Sequence, residues 1–223
     1  MDIYTLTATQ MALVHNSFIR AYNHVYHLAS KVPPDDYHNF ISYSLAIYTT
    51  LVQHHDGEEK HFFPLVEEGA GVVGLMDENV KQHGDFEAAH EAYGDYLQSL
   101  ITGNTTARFS PARLRALIEA FAPALSQHLK DEIETLLALK QYPALDLEKV
   151  VKEVHARSMK DQSMLVGVPI LMLNHDRTYE GGIHGMFPEL PAPISWALRK
   201  LLPCWHWGWW KYASCDSDQM PRM

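Results

Sequence analysis

The sequence has only two cysteines, Cys204 and Cys215, both near its C-terminal end. Their spacing builds neither a disulfide framework nor a CxxC metal clip, so any metal would be held by nitrogen and oxygen. No run of about 18 apolar residues is present to span a membrane. Clustered lysine and arginine are missing too. Against 27 acidic residues stand 18 basic ones, and the formal net charge of −9 argues against nucleic acid as a partner. The stretch MDIYTLTATQ has no apolar signal core, which makes a cytoplasmic location the default expectation.

Histidine is what the chain has in abundance, with 14 copies in 223 residues. Imidazole is the commonest metal ligand, and an excess of carboxylate beside it suits hard or borderline cations. A hydrophobic fraction of 47% is ample for a buried core.

Residues 1–142 parse into four long helical stretches. The first runs from about Thr7 to Ser30 and stops before Pro33-Pro34. The second starts near Asp35 or Asp36 and passes through HHDGEEKHFFP, where Pro64 should kink or end it. The third covers roughly Val73 to Leu100. The fourth opens at Ser110-Pro111, a cap followed by a proline suited to the first helical position, and continues to about Leu139 with a bend at Pro123. Long helices joined by short loops predict an all-α fold, an antiparallel four-helix bundle. Residues 143–223 form a partly helical extension expected to pack on it: a charged helix capped by Asp146, an irregular stretch containing NHDRTYEGG, then ISWALRKLL and CWHWGWWKY.

Positions i and i+4 of an α-helix lie about 40° apart on one face. With His55 as reference, Glu59 sits at about +40°, whereas Glu58, His54 and His61 fall at about −60°, −100° and −120°. His55 and Glu59 are therefore expected inward, and Glu58, Lys60 and His61 outward. The same spacing returns as His128 and Glu132 in QHLKDE and as His83 and Glu87 in QHGDFE, with His90 on nearly the same line. The first helix offers His15. One HxxxE pair is usually surface decoration, but three pairs on three helices are not. Burying them without a cation costs several kcal/mol for each group.

The order of His15, HHDGEEKHFFP, QHGDFE and HLKDEI resembles the hemerythrin-like, HHE cation-binding family over residues 8–140. The resemblance implies a non-heme di-iron centre with His15, His55, Glu59, His83, His128 and Glu132 as ligands and with Glu59 and Glu132 as bridges. Manganese suits the same ligands. The family's third-helix motif is HxxxH, and Glu87 stands where its second histidine would be. Glu87 is expected to ligate as an oxygen donor; the alternatives give that position to water or His90, or leave Glu87 as a supporting acceptor.

Elsewhere, His175, Asp176, Tyr179 and Glu180 in NHDRTYEGG read first as a glycine-capped helix end, and second as a loop lending a side chain to the site. The tryptophan-rich tail reads as packing, with a substrate lid, an oligomer surface or a shallow membrane contact as lesser readings. His24, His27, His38, His155, His184 and His206 are expected on the surface or in packing roles. The functional expectation is a di-iron protein that binds and reacts with dioxygen, favouring an oxygenase or oxidase on a small organic substrate. The alternative is a non-catalytic oxygen or nitric-oxide carrier, sensor or iron-binding protein.

Overall fold

The computed structural model describes residues 1–103, 105–161, 166–188, 192–200, 204 and 206–222. Helix α1 spans Ile3–Leu28 and begins at Asp2, whose side chain accepts from the Thr5 N–H at 2.9 Å. Helix α2 covers Tyr37–Gly57. It is not ended by Pro64. Instead the chain widens into a π-helical turn at Glu58–Phe62 and resumes as α3, Phe63–Ala70. Proline has no N–H and its ring clashes with the carbonyl four residues back. The wide turn ahead of it, with the Phe63 N–H reaching the Glu58 carbonyl, lets the chain continue with Pro64 in the first turn of α3. Gly71 finally stops it at φ 68°, a left-handed cap that costs glycine little.

Helix α4 spans Asp77–Thr102 and α5 spans Pro111–Ala138. Ser110 caps α5 by accepting from the Arg113 N–H at 3.3 Å, and Pro123 lies inside the helix without ending it. Around the bundle α1 packs on α2 and α5, and α4 packs on α2 and α5, which closes a four-membered ring of helices. The fold is all-α, as the sequence predicts.

The apolar interior comes in two blocks. One contains Phe18, Tyr22, Ile47, Leu51, Phe86, Tyr93, Phe121 and Leu125. The other contains Ala8, Phe62, Phe63, Val66, Met76 and Leu136. Between them, on every bundle helix, falls a buried polar position: His15, then His55 and Glu58, then His83, then His128 and Glu132. A polar layer is thus sealed between two hydrophobic plugs.

Helix α6, Leu147–Asp161, starts at Asp146, which accepts from the Lys149 N–H at 3.0 Å, and covers the second block beside α3. Helix α7, Gly167–Met172, lies on α1 and α2; helix α8 is Ala192–Lys200; α9, Trp207–Trp210, rests on α2. The segment NHDRTYEGG does not form the expected glycine-capped helix end. Helix α7 has already stopped at Leu173, and the glycines close a separate turn in which Glu180 and Gly181 take φ 49° and 70°. Asn174 knits the extension to the bundle: its side chain bonds Tyr43, the Ile170 carbonyl and the Ser214 N–H. Trp210 is buried, whereas Trp196 and Trp207 are exposed, so packing accounts for only part of the tryptophan-rich tail. Trp205, Leu201 and Leu202, which belong to the same sequence segments, lie outside the described residues. No helix among the described residues is long and apolar enough to cross a membrane.

Candidate metal centre

Helix α2 delivers more to the interior than its HxxxE pattern suggests. The inward direction is set by Glu58, 4% exposed, with His54 about 40° to one side of it and His55 about 60° to the other. All three therefore face the bundle axis. The expectation that Glu58 points outward is overturned: His55 marks the edge of the inward sector, not its middle. Glu59 and Lys60 are exposed and His61 is half-buried.

Two groups of donor atoms result, with Glu58 common to both. His55, Glu58, His83 and His128 present ligand atoms within 4.8 Å of one another, and so do His15, His54 and Glu58. Glu132, fully buried, also reaches both: its Oε2 lies 3.2 Å from His15 Nε2 and 3.9 Å from His128 Nε2. Glu58 Oε1 is 3.1 Å from His54 Nε2, and its Oε2 is 3.7 Å from His83 Nε2. Five imidazoles thus surround two carboxyl groups that each touch both sets. The Nε2 atoms of His15, His54 and His55, and all four carboxyl oxygens of Glu58 and Glu132, are buried without a hydrogen-bond partner. Orphaned polar atoms normally cost about 1–3 kcal/mol each. Seven of them gathered in one buried layer fit a site built for cations.

The far sides of the rings fix how the near sides behave. His15 Nδ1 is 3.0 Å from the Leu129 carbonyl, which can only accept, so Nδ1 carries the proton and Nε2 presents a lone pair. His83 Nδ1 faces the Glu59 carboxylate at 2.6 Å. His128 Nδ1 faces Gln82 Oε1 at 3.3 Å, and Gln82 is oriented by donating its amide to Asp131 at 3.1 Å. With those protons committed, the Nε2 atoms of His83 and His128 meet lone pair to lone pair at 3.0 Å. Such a contact is repulsive unless a proton or a cation lies between them.

The electrostatics agree. Burial, reinforced by neighbouring imidazoles, pushes His54 down to about 3 and His55 well below its ordinary value. Burial also brings His128 down to about 4. These rings are neutral at pH 7, the form that binds metals. Burial, followed by repulsion from Glu132 and Glu59, holds the Glu58 carboxyl well above the carboxylate range. Burial pushes Glu132 upward as well, but the close approach of His15 and the nearby imidazoles of His54 and His128 outweigh it, so Glu132 is lowered.

Of the residues named from the sequence, His15, His55, His83, His128 and Glu132 are brought together. Glu59 is placed behind His83, where it orients the ring, and it is not one of the convergent donors. Glu87 is not brought in at all: it is exposed on α4, near Tyr48. The inward residues of α4 are Asn79, His83, Phe86, His90, Tyr93, Leu97 and Leu100, alternating steps of four and three. That seam averages 3.5 residues and selects Phe86, turning Glu87 to solvent. His90 is buried but bonds Tyr22, at 2.7 Å, among aromatic rings. Sequence reasoning missed His54 and Glu58, although they form an HxxxE pair of their own, one position ahead of the pair it chose. The deciding signal was the apolar phase of α2: Ile47 and Leu51 lead to His54, His55 and Glu58 at steps of three and four. His175 and Asp176 bond elsewhere, to the His184 carbonyl at 3.0 Å and to Arg20 at 3.2 Å.

Comparison with known proteins comes to the same place. The profile of the hemerythrin HHE cation binding domain matches residues 7–139. A relative from Cryptosporiopsis sp. (strain 8999), the "Dimeric xanthone biosynthesis cluster protein R11", is 35% identical over 216 residues, covering 96% of this chain and 80% of its own. No solved structure matches significantly.

Proposed function

This chain belongs to the hemerythrin HHE cation-binding family, and on that premise we propose that it holds a dinuclear non-heme iron centre that reacts with dioxygen. His15 and His54 would hold one iron and His55, His83 and His128 the other, with Glu58 and Glu132 within reach of both groups. His55 takes over from the second third-helix histidine that the family pattern has and this chain replaces by the exposed Glu87. The observation that carries the reading is that seven orphaned, buried donor atoms lie in one layer where two donor groups share Glu58. The nitrogen-rich, oxygen-bridged donor set suits ferrous or manganous ions. Iron bound there supplies redox equivalents and a Lewis-acid position for dioxygen. The chain's own residues orient the imidazoles through Leu129, Glu59 and Gln82, and the two apolar plugs exclude water.

The function is an oxygen-dependent oxidation of a small organic molecule. The support is the similarity to a protein whose name places it in a biosynthesis cluster. A non-catalytic carrier or sensor is the second reading, favoured by the burial of the donor atoms, which a bulky substrate could not touch without rearrangement.

One experiment separates the two. Reduced, iron-loaded protein is mixed with oxygen and its charge-transfer absorption followed. Irreversible oxidation that turns over when an organic reductant or substrate is added supports the enzyme. A stable spectrum that reverses on removing oxygen establishes the carrier.

A further inference from the structure

On the side of the first apolar block, next to the metal-ligand layer, a phenol and an imidazole are buried together. Tyr22 and His90 are 4% and 3% exposed, and the Tyr22 hydroxyl lies 2.7 Å from His90 Nε2. Among the described residues that nitrogen is the hydroxyl's hydrogen-bond partner, so the buried O–H is satisfied by donating to it. Aromatic rings wrap the pair: Phe121 centres 5.1 Å from Tyr22 and 4.9 Å from His90, and Tyr93 centres 5.8 Å from Tyr22.

Phe86 links this pair to the candidate ligands. Its ring lies 5.3 Å from His55, 5.8 Å from His128 and 6.5 Å from His90. On the other side, the half-buried Tyr48 ring lies tilted 4.6 Å from His90 and leads toward a surface bearing Glu87, Glu91 and Asp95. A continuous aromatic path therefore joins the sealed centre to the exterior through Phe86, His90 and Tyr48, with Tyr22 hydrogen-bonded to its middle member.

We propose that Tyr22 and His90 are a proton-coupled redox pair serving the metal centre. This rests on the iron reading above. In the step, Tyr22 gives one electron to the oxidised iron pair, which is reduced by one equivalent, and its phenolic proton passes to His90 Nε2. A neutral phenoxyl and an imidazolium remain. The hydrogen bond is what makes the step feasible in an apolar setting: a phenol that lost only its electron would be a very strong acid holding an unsolvated positive charge on the ring, and transfer along 2.7 Å moves its proton to a nitrogen that is the stronger base even when buried. Burial keeps both partners neutral beforehand, pushing Tyr22 well up and His90 down to about 3. The pair is a source of electrons for a centre whose donor atoms solvent does not reach.

The test is rapid-freeze electron paramagnetic resonance on full-length, iron-loaded protein. Two oxidants are used separately: dioxygen, and hexachloroiridate as a one-electron oxidant. The proposal predicts a tyrosyl signal that collapses to a narrow line with ring-deuterated tyrosine. Tyr22→Phe should lose it, and should consume one oxidising equivalent fewer per chain in the iridate titration, with iron content unchanged. Tyr93→Phe should retain it. His90→Gln should lose it, or form it slowly and without the solvent deuterium effect of the wild type. A signal that survives Tyr22→Phe, or full iron oxidation under iridate with no Tyr22-dependent equivalent, overturns the proposal. Iron that stays ferrous in oxygen counts instead against the oxygen-reactive function, and the iridate arm still decides the tyrosine.

Discussion

Glu58, Glu59 and Glu87 are three carboxylates that a sequence pattern scarcely distinguishes, and the structure gives them three different surroundings. Glu58 is enclosed by imidazoles, Glu59 stands behind His83, and Glu87 faces solvent. Glutamine replacements should separate them in metal analysis. Glu58→Gln is expected to lose at least one of two irons. Glu59→Gln should keep both but weaken binding by about 10–100-fold, the usual effect of losing the acceptor behind a ligating histidine. Glu87→Gln should leave iron content unchanged. Protonation gives a second handle. The raised Glu58 carboxyl must lose its proton to ligate, so iron binding should release protons and tighten as pH rises. Calorimetry in buffers of different ionisation enthalpy reads that release directly. In metal-free Glu58→Gln protein, the buried histidines should govern acid stability, among them His54, His90 and His128. Their folded values, about 3, about 3 and about 4, lie below the ordinary 6.5. As pH falls below about 6.5 the unfolded chain takes up protons that the folded one refuses, so stability should drop until those lower values are passed. Melting temperatures from pH 8 to 4 check the sign.

At the scale of the element, the helices were legible because their punctuation is local. Ser110 and Asp146 cap as the sequence predicts, whereas Asp2 starts the first helix ahead of the expected Thr7 and Gly71 ends a helix expected to stop or kink at Pro64. What sequence reasoning misjudged was rotational phase. On α2 the phase was hung on His55, and on α4 a straight i, i+4 line was drawn where the helix packs with a 3.5-residue seam that admits Phe86. The π-turn at Glu58–Phe62 was not legible either, since Pro64 signals a disruption without saying whether the chain stops or widens. Helix α4 also carries a close approach at Gly94: a Cβ there would lie 2.4 Å from the Tyr48 ring. Gly94→Ala should displace Tyr48 and destabilise the fold by about 1–3 kcal/mol, typical of overpacking, as chemical denaturation will show.

For the whole molecule, the arrangement of plug, polar layer and plug explains how a chain can keep so many imidazoles and carboxyls inside. The apolar blocks supply the burial free energy, and the four-helix ring holds the donors in place before any cation arrives. Among the polar contacts that hold the extension, Asp36 takes Tyr212 and Lys211, and Asn174 ties Tyr43 of the bundle to Ser214 of the extension; Asn174→Ala should cost about 1–3 kcal/mol by orphaning Tyr43 and the Ser214 N–H, measurable as a lower unfolding midpoint. Its turns and exposed tryptophans were the least legible part of the sequence, because their conformation depends on which bundle face they meet. The central claim is that one buried layer holds two metal ions. Anaerobic ferrous titration of the metal-free protein tests it most directly: about two irons per chain, bound with proton release, are predicted. Binding of none, or undiminished binding of two after His54 and Glu58 are both replaced by alanine, would contradict it.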